Sequence, residues 1–427
     1  MQTHSRQFYI FVLLLGSLTA FGPLSIDMYL PAFPAMAESL GVPQGRIEFS
    51  LASFFIGMSF GQLVYGPLTD RYGRKKPLYV GLCIYILASV ACALAPSADS
   101  LIFFRLLQAL GACAGTVVSR AMVRDLFDHR ESAQVFSLLM LVMGVAPILA
   151  PLLGGYVLLH FGWRAIFWSL ASVSAVIFLF VGRYLPETRS PDETVRFSRS
   201  FHTYLDILKH RGFVGYTMTA GFMQAALFAY ITGSSFVFIE YYGIAPEHFG
   251  WIFGSNAFGL IMAAQVNAWL LRRGMHPDTI MQRALYALAA FGVLLAIAAF
   301  AHAPLFVLLP PLFGFLTMAG MIFPNAGAGS LEHQKHRAGA ASALAGMLQF
   351  CLSAISAGLV SLLHAETPRP MAAVVAICGL IACGIFIYMK KYRPPAAMTL
   401  LRHLPNAITG ARIVGGTPLV LLIVGGQ

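Results

Sequence analysis

Two charged side chains interrupt long apolar stretches of this sequence, and each could do chemistry there. Asp27 lies near the end of an apolar run that continues to Leu30, and Arg105 lies within another run. An ionised carboxylate in the middle of a bilayer costs about 2.5–3.5 kcal/mol on insertion scales, so Asp27 could take up a proton on one side of a membrane and release it on the other. Alternatively, Asp27 is a residue at the aqueous edge that ends a helix before Pro31. We expect the other 16 of the 17 acidic residues in loops or at the edges of apolar segments.

Arg105 is the basic counterpart of Asp27. A guanidinium keeps its proton at any working pH, so within an apolar segment it needs a counter-charge, carbonyl groups or water. If Arg105 and Asp27 line one aqueous cavity, the guanidinium favours loss of the proton from Asp27 when the two are close. We therefore predict Asp27 and Arg105 as a proton-coupling pair. The alternative is that Arg105 is structural and binds backbone carbonyls or reaches toward the membrane surface.

A basic loop offers a third group of functional residues. It reads Gly66-Pro67-Leu68-Thr69-Asp70-Arg71-Tyr72-Gly73-Arg74-Lys75-Lys76-Pro77-Leu78. Gly73 permits a tight reversal of the chain, and Asp70 can interact favourably with a helix N-terminus. Arg74 can pair with a carboxylate at the end of a neighbouring segment, and Asp125 is the nearest candidate in the sequence.

The elements that must position these residues are membrane-spanning helices. The 427 residues are 58% hydrophobic and 11% charged, whereas soluble domains are about 45–50% apolar and about 25% charged, which argues against a soluble enzyme. We count twelve apolar segments of the roughly 20 residues that a spanning helix needs, from about residues 8–30 to about residues 371–389. The sequence therefore predicts an all-α membrane protein with twelve transmembrane helices.

The distribution of Lys and Arg predicts the orientation of these helices. With the N-terminus in the cytoplasm, 24 of the 28 basic residues fall on the cytoplasmic side. This asymmetry predicts a multi-pass membrane protein with both termini in the cytoplasm. It also accounts for most of the net charge of +11 without a nucleic-acid partner.

The longest polar stretch divides the chain into two six-helix halves. We predict an N-terminal bundle at residues 1–185, a cytoplasmic linker at 186–212 and a C-terminal bundle at 213–395, as in duplicated transporters whose halves meet around a central site. Residues 396–427 form an extra tail. From Met398 the tail resembles the start of a CDP-alcohol phosphatidyltransferase, through Pro405, Asn406, Thr409 and Arg412. Because the rest of that enzyme's signature is absent, we expect no catalysis, and the alternative is an amphipathic surface segment.

The basic loop resembles, at every signature position, the G-x-L-x-D-R-x-G-R-K-x-x-L loop of the major facilitator superfamily. The resemblance implies the twelve-helix major facilitator fold. It also implies that the loop latches the cytoplasmic side in the outward-facing state. The alternative is a basic loop that only sets topology. The implied conformational-switch residues are Gly66, Asp70, Arg71, Gly73, Arg74, Lys75 and Asp125.

Two further stretches narrow the resemblance. Ala150-Pro151-Leu152-Leu153-Gly154-Gly155 is similar to the G-P-x-x-G-G motif of antiporters, with Ala150 in place of the first glycine. Pro151, Gly154 and Gly155 are its matching residues, and ordinary small-residue packing is the alternative. The stretch from Ser25 to Pro34 resembles the bicyclomycin/chloramphenicol-resistance branch of drug:proton antiporters.

This branch implies a proton-coupled multidrug efflux transporter that exports small apolar or amphiphilic compounds by alternating access. Its expected partners are a small-molecule substrate, protons and membrane lipid. We expect the protein to be a monomer, and we expect a transporter rather than an enzyme. We expect no cofactor or metal, and no nucleotide-binding P-loop pattern is present. The alternatives are an exporter or importer of a small metabolite on the same fold, or part of a phospholipid-synthesis fusion protein.

The fold resemblance also implies a pocket between spans 1, 4, 5, 7, 8, 10 and 11. Candidate substrate-binding residues in or near these spans are polar or aromatic, and an unpaired amide is unfavourable there. For each of them, ordinary packing between helices is the alternative. They are Tyr29, Gln108, Gln224, Tyr230, Asn256, Asn325 and Gln349.

Overall fold

The computed structural model describes residues 6–127, 129–192, 197–332, 334–363 and 366–391. The predicted tail at 396–427 lies outside these ranges. The described residues form fourteen α-helices: α1 (Arg6–Asp27), α2 (Phe33–Leu40), α3 (Gln44–Tyr72), α4 (Lys75–Ala93), α5 (Ala98–Leu126), α6 (His129–Phe161), α7 (Trp163–Tyr184), α8 (Phe197–Leu208), α9 (Arg211–Ser235), α10 (Pro246–Arg272), α11 (Pro277–Phe300), α12 (Leu305–Leu331), α13 (Ala338–Leu362) and α14 (Arg369–Lys391).

The prediction of an all-α membrane protein is confirmed. Twelve helical segments of the described chain are long and apolar enough to cross a membrane, and these ranges contain no β-strand. Only α2 and α8, with eight and twelve residues, are too short to span. A helix satisfies every backbone amide within its own segment, which is why an apolar chain of this composition folds into helices rather than open sheets.

The helices that carry the predicted functional residues pack in a few close pairs. α3 packs against α5 and α13, α6 packs against α10, and α9 packs against α12 and α13. The α3–α13 and α6–α10 pairs join helices of the first six spans to helices of the last six. The division of the chain into two six-helix domains stays a prediction.

The chain does not continue as a regular helix past Asp27. α1 ends there, a 3-10 turn follows at Leu30–Ala32, and α2 begins at Phe33. Pro31 lies within this turn, where the missing N–H of proline costs little. The turn is nonetheless fully enclosed, because its three residues are buried. Asp27 is therefore followed by buried chain rather than by an exposed loop.

The segment predicted as a cytoplasmic linker contains the amphipathic helix α8. Tyr204 and Ile207 are buried in a cluster with Ala341 and Leu344 of α13. Phe201, Leu205 and Leu208, three or four positions apart on the same broad face, are exposed large apolar side chains, whereas the exposed residues of the opposite face include His202, Asp206 and, just past the helix end, Lys209. Helices with one apolar and one polar face lie along membrane surfaces rather than across them.

Candidate functional site

The side chain of Asp27 is enclosed at the end of α1. Only 3% of the residue is exposed, and its Oδ1 atom is buried without a hydrogen-bond partner. The hydrogen bonds and ion pairs of the described residues include none between Asp27 and Arg105. The prediction that these two side chains share one aqueous cavity stays a prediction.

Two residues of the second half lie on the Asp27 side of the bundle. The amide of Asn256, on α10, donates a hydrogen bond of 3.0 Å to the hydroxyl of Tyr230, on α9. Both residues are buried, and the turn Leu30–Ala32 that follows Asp27 contacts α9 and α10. The ring of Tyr230 stacks on Phe253, with 5.7 Å between the ring centroids. The structure thus brings a carboxyl group of α1 near a hydrogen-bonded polar pair from α9 and α10.

The antiporter-like stretch of α6 positions the chain next to Asp27. A side chain on Gly154 would collide with the carbonyl oxygen of Met28, the residue after Asp27. A Cβ atom on Gly155 would lie 3.1 Å from the carbonyl oxygen of Pro246, in the first turn of α10. Pro151 is buried inside the same helix. The absence of side chains at the two glycines therefore lets α6 approach both α10 and the turn that follows α1.

Arg105, on α5, is fully buried and is held by neutral groups. Its guanidinium donates a hydrogen bond to the side-chain oxygen of Gln108 and another, of 2.7 Å, to the backbone carbonyl of Ser25. Gln108 in turn donates to the hydroxyl of Ser89 at 2.8 Å. Arg105 thereby ties α5 to the last turn of α1, two residues before Asp27. This arrangement matches the carbonyl-binding alternative for Arg105.

Aromatic rings enclose the Arg105 guanidinium in place of a carboxylate. Its central carbon lies 4.2 Å from the ring centroid of Tyr29 and 4.4 Å from that of Phe54. Cation–π contacts of this kind are worth about 2 kcal/mol when they are desolvated. The hydroxyl of Tyr29 is hydrogen bonded to Ser50 at 3.1 Å. Two of the predicted substrate-binding residues, Tyr29 and Gln108, are therefore part of the shell that surrounds Arg105.

The remaining predicted pocket residues lie in two other places. Asn325, on α12, donates a 2.7 Å hydrogen bond to Asn267 of α10 and is buried there. Gln224, on α9, contacts Ser353 of α13 at 3.5 Å, and Ser353 also donates to the backbone carbonyl of Gln349. Asn325 makes a helix–helix contact, whereas Gln224 and Gln349 are half-buried at the α9–α13 contact.

The basic loop between α3 and α4 folds around Arg74. Its guanidinium donates to Asp125 at 2.8 Å and to Asp70 at 2.8 Å, and its side chain is only 5% exposed. Burial opposes the charge, but the hydrogen bonds to Asp125 and Asp70 outweigh it and raise the pKa of Arg74. The pairing of Arg74 with Asp125 at the end of α5 is the geometry that the sequence suggested.

The other predicted switch residues take different positions around this cluster. Gly73 has a φ of +81°, a left-handed conformation that glycine adopts without strain. The guanidinium of Arg71 lies over the ring of Tyr72, and the ammonium of Lys75 lies over Tyr79. Gly66 lies near the hydroxyl of Tyr204, with 4.0 Å from an added Cβ atom to that oxygen. Among the predicted switch residues that the structure describes, Asp70, Arg74 and Asp125 form the ion pairs of this cluster, whereas Arg71 and Lys75 contact aromatic rings.

Sequence reasoning missed the segment that completes this cluster. Glu187 accepts hydrogen bonds from the backbone N–H groups of Arg74 and Lys75 at 2.7 and 3.0 Å, at the start of α4. Thr188 donates to Asp125, and Arg189 forms an ion pair with Asp70 at 3.0 Å. The predicted linker therefore begins with residues that bind the basic loop. Glu187 binds backbone N–H groups more than 100 positions away, and no periodicity or hydropathy signal in the sequence marks these contacts.

A second buried carboxyl was also missed. Glu48 lies in the second turn of α3 and has no exposed surface. Glu48 lies near the N-terminal end of its span, where the sequence placed it, but it is enclosed by neighbouring parts of the protein rather than exposed.

Comparison with known proteins assigns the family. A model of the Major Facilitator Superfamily matches residues 15–358. The chain is 37% identical, over 89% of its length and 95% of the relative's, to a protein named uncharacterized MFS-type transporter YdgK of Bacillus subtilis. It is 30% identical to a bicyclomycin resistance protein homolog of Haemophilus influenzae, over 90% of this chain and 96% of that one. It is 27% identical to the multidrug resistance protein MdtL of Escherichia coli O127:H6, over 89% and 96% of the two chains.

Solved structures agree on the fold. A bacterial homolog of the human lysosomal transporter Spinster superposes with a TM-score of 0.71 at 14% identity, covering 91% of this chain and 98% of that one. The xylose transporter XylE of E. coli superposes with a TM-score of 0.68 at 14% identity, covering 90% and 98%. The chain belongs to the Major Facilitator Superfamily and is a multi-pass membrane transporter rather than an enzyme.

Proposed function

We propose that this transporter is a proton-coupled exporter of small apolar or amphiphilic drugs. The observation that carries the proposal is the buried carboxyl of Asp27, whose Oδ1 atom has no hydrogen-bond partner. A carboxyl in such a place binds a proton far more readily than a paired carboxylate, because its ionised form has lost hydration without gaining a donor. The names of two relatives, a bicyclomycin resistance protein homolog and a multidrug resistance protein, support drugs as the substrate class.

In this proposal the proton and the drug compete for one region. Asp27, with Tyr230 and Asn256 beside it, takes a proton from the outer side and loses it to the cytoplasm as the bundle alternates between two open states. The small residues Gly154 and Gly155 let α6 slide along the turn after α1 and along α10. Arg105 holds the end of α1 through the Ser25 carbonyl and so positions Asp27.

We also propose the orientation and the role of the basic loop. Both termini lie in the cytoplasm of a bacterial inner membrane, and the protein works as a monomer with two six-helix halves. The pairs that Arg74 makes with Asp70 and Asp125 then lie on the cytoplasmic side. They hold that side together in one of the two states and separate in the other.

The driving force in this scheme is sufficient for modest accumulation. One elementary charge that crosses a potential of 100 mV releases about 2.3 kcal/mol, and a pH gradient adds to it. A difference of about 1.4 kcal/mol is tenfold in concentration. Exchange of one proton for one neutral drug can therefore maintain a gradient of more than tenfold.

The experiment has two stages. A susceptibility panel in a pump-deleted host first identifies a transported compound. Inverted vesicles then take up that compound with and without an imposed pH gradient, for the wild type, for Asp27→Asn and for the control Asp99→Asn. Asp99 is a matched control because its carboxylate is exposed and pairs with Arg46.

We expect gradient-driven accumulation by the wild type and by Asp99→Asn, and none by Asp27→Asn. Normal pH-dependent efflux by Asp27→Asn would remove the coupling role of this residue. Flux by the wild type that does not respond to the pH gradient would replace antiport by facilitated transport, and an inactive panel would favour a small metabolite as substrate.

A further inference from the structure

We propose that a cavity beside the basic loop binds a phosphate-type anion between Arg120 and Arg124 of α5 and the first turn of α13. The shared chemistry is a phosphate group, whether it belongs to a phospholipid headgroup or is free in solution. The proposal concerns a site away from Asp27. It does not depend on what the transporter carries or on proton coupling.

The cavity lies where helices of both halves meet. Its volume is about 190 Å³, and residues of α3, α5, α8 and α13 line it. A water molecule takes a share of about 30 Å³ in the liquid, so the space accommodates a phosphate-sized group together with water. The charged side chains on its wall are Asp70, Arg74, Arg120 and Arg124.

The balance of charge on this wall is positive. Asp70 is the acidic residue among the lining side chains, and it is already engaged by Arg74 and Arg189. Arg74 is likewise engaged by Asp70 and Asp125. Arg120 and Arg124 lie one helical turn apart on α5, and the hydrogen bonds and ion pairs of the described residues include none from either side chain. Two guanidinium groups thus line one cavity without an acidic partner.

The first turn of α13 adds positive potential to the same cavity. Gly339, Ala340, Ser342 and Ala343 line the cavity, and no side chain caps the start of this helix. A Cβ atom on Gly339 would lie 3.7 Å from Nη1 of Arg124. A helix N-terminus carries the equivalent of about +0.5 charge, so a guanidinium placed there is unfavourable by itself. An anion between the N-terminus of α13 and the guanidinium of Arg124 removes this repulsion and accepts hydrogen bonds from both groups.

The helix α8 places the cavity within reach of lipid headgroups. Thr203 and Tyr204 line the cavity, while Phe201, Leu205 and Leu208 of the same helix expose apolar side chains. A helix with this exposed apolar surface lies at the boundary of headgroups and acyl chains. A bound phosphate would join α5 of the first half to α13 of the second half. A ligand that binds the folded protein and not the unfolded chain stabilises the folded protein against unfolding.

The test is thermal unfolding of the purified full-length protein. In one arm, inorganic phosphate is added in increasing concentration, with sodium chloride at the same ionic strength as the control. In the other arm, the protein is reconstituted in phosphatidylcholine nanodiscs with and without phosphatidylglycerol. If the free ion binds, we expect the midpoint temperature of unfolding to rise with inorganic phosphate until it saturates. If the site selects lipid, we expect this temperature to rise only with phosphatidylglycerol. Loss of one charged donor costs about 1.5–3 kcal/mol, so Arg120→Gln and Arg124→Gln should weaken the apparent affinity by about ten- to a hundredfold.

Two further variants separate anion binding from a general charge effect. Arg183→Gln removes an exposed arginine at the end of α7, outside the cavity. Its unfolding temperature should respond to phosphate and to phosphatidylglycerol as that of the wild type does. Gly339→Asp places a carboxylate in the cavity, where an added Cβ atom meets only Arg124. This variant should unfold at a higher temperature without phosphate and should no longer respond to it. A wild type that responds to neither probe, or an Arg124→Gln or Gly339→Asp variant that responds as the wild type does, overturns the proposal.

Discussion

Two buried charges of the first half, Arg105 and Asp27, have different surroundings. Arg105 is surrounded by the Ser25 carbonyl, the Gln108 amide and the faces of two aromatic rings. Asp27, only two residues after Ser25, has an oxygen atom with no hydrogen-bond partner. A charge that is solvated by fixed dipoles is permanent, whereas a carboxyl without donors favours the neutral form. In the proposed mechanism, this difference separates Arg105, which positions the site, from Asp27, which changes its protonation.

The ion cluster of the basic loop is a third case. Arg74 is nearly enclosed, whereas its partners Asp70 and Asp125 have side chains that are 40% and 18% exposed. The acidic partners therefore keep access to water when the pairs separate, whereas the Arg74 guanidinium does not. Separation of these pairs costs less only in a conformation that also exposes Arg74 to water. The following substitutions test these three treatments of charge by their effect on the free energy of unfolding.

The largest loss of stability is expected for Arg105→Leu. The substitution leaves the Ser25 carbonyl and the Gln108 side chain without their donor, at about 1–3 kcal/mol each, and removes the cation–π contacts. We expect a loss of about 2–5 kcal/mol in thermal or denaturant unfolding in detergent. The control is Arg164→Leu, which removes an exposed arginine that stacks on Trp163, and which should cost less than about 1 kcal/mol. Equal losses in both variants would mean that the Arg105 shell adds no stability.

A smaller loss is expected for Arg74→Gln. This guanidinium donates to Thr69, Asp70 and Asp125 at 2.8–3.2 Å, but Asp70 keeps Arg189 and Asp125 keeps Thr188 when it is removed. Hydrogen bonds to charged groups are worth about 1.5–3 kcal/mol, and we expect a loss in that range. Transport should slow while substrate affinity, measured by equilibrium binding, stays within a factor of a few. A variant as stable as the wild type would show that the buried arginine is dispensable.

Arg189→Gln should cost less still, because this arginine is 41% exposed and pairs with a carboxylate that is 40% exposed. Double-mutant cycles on such pairs give about 0.2–1 kcal/mol. The same unfolding measurement, repeated at about 1 M salt, should show the wild type and the variant converging, because the Debye length is then about 3 Å. A loss as large as that of Arg74→Gln would mean that the segment 187–189 supports the basic loop as strongly as Arg74 does.

Much of the fold could be predicted from the sequence. The bilayer demands about 20 apolar residues per span, and this requirement leaves a clear hydropathy signal in each segment. The pairing of Arg74 with Asp125 was also predictable, because both lie at span ends that the loop must bring together. Charge and helix length, which act locally, decide these features.

The surroundings of Arg105 and of Glu48 could not be predicted in the same way. The partners of Arg105 are a backbone carbonyl 80 positions away and rings from other helices, and only tertiary packing brings them together. The burial of Glu48 near the start of α3 also depends on packing against other parts of the chain, which hydropathy does not report. The short segment 187–189 has no periodicity, so its contacts with the basic loop left no pattern along the chain.

The smallest change in stability is expected for Asp27→Asn. The carboxyl already has an oxygen without a hydrogen-bond partner, so an amide of the same shape removes no hydrogen bond from Oδ1. We expect the free energy of unfolding to change by less than about 1 kcal/mol, even though proton-driven efflux is lost. Unfolding at several pH values sharpens the test, because any part of the pH dependence that comes from Asp27 must disappear in the variant. A loss of several kcal/mol would instead make Asp27 a structural partner, comparable to Arg105, and would remove the contrast between the two buried charges.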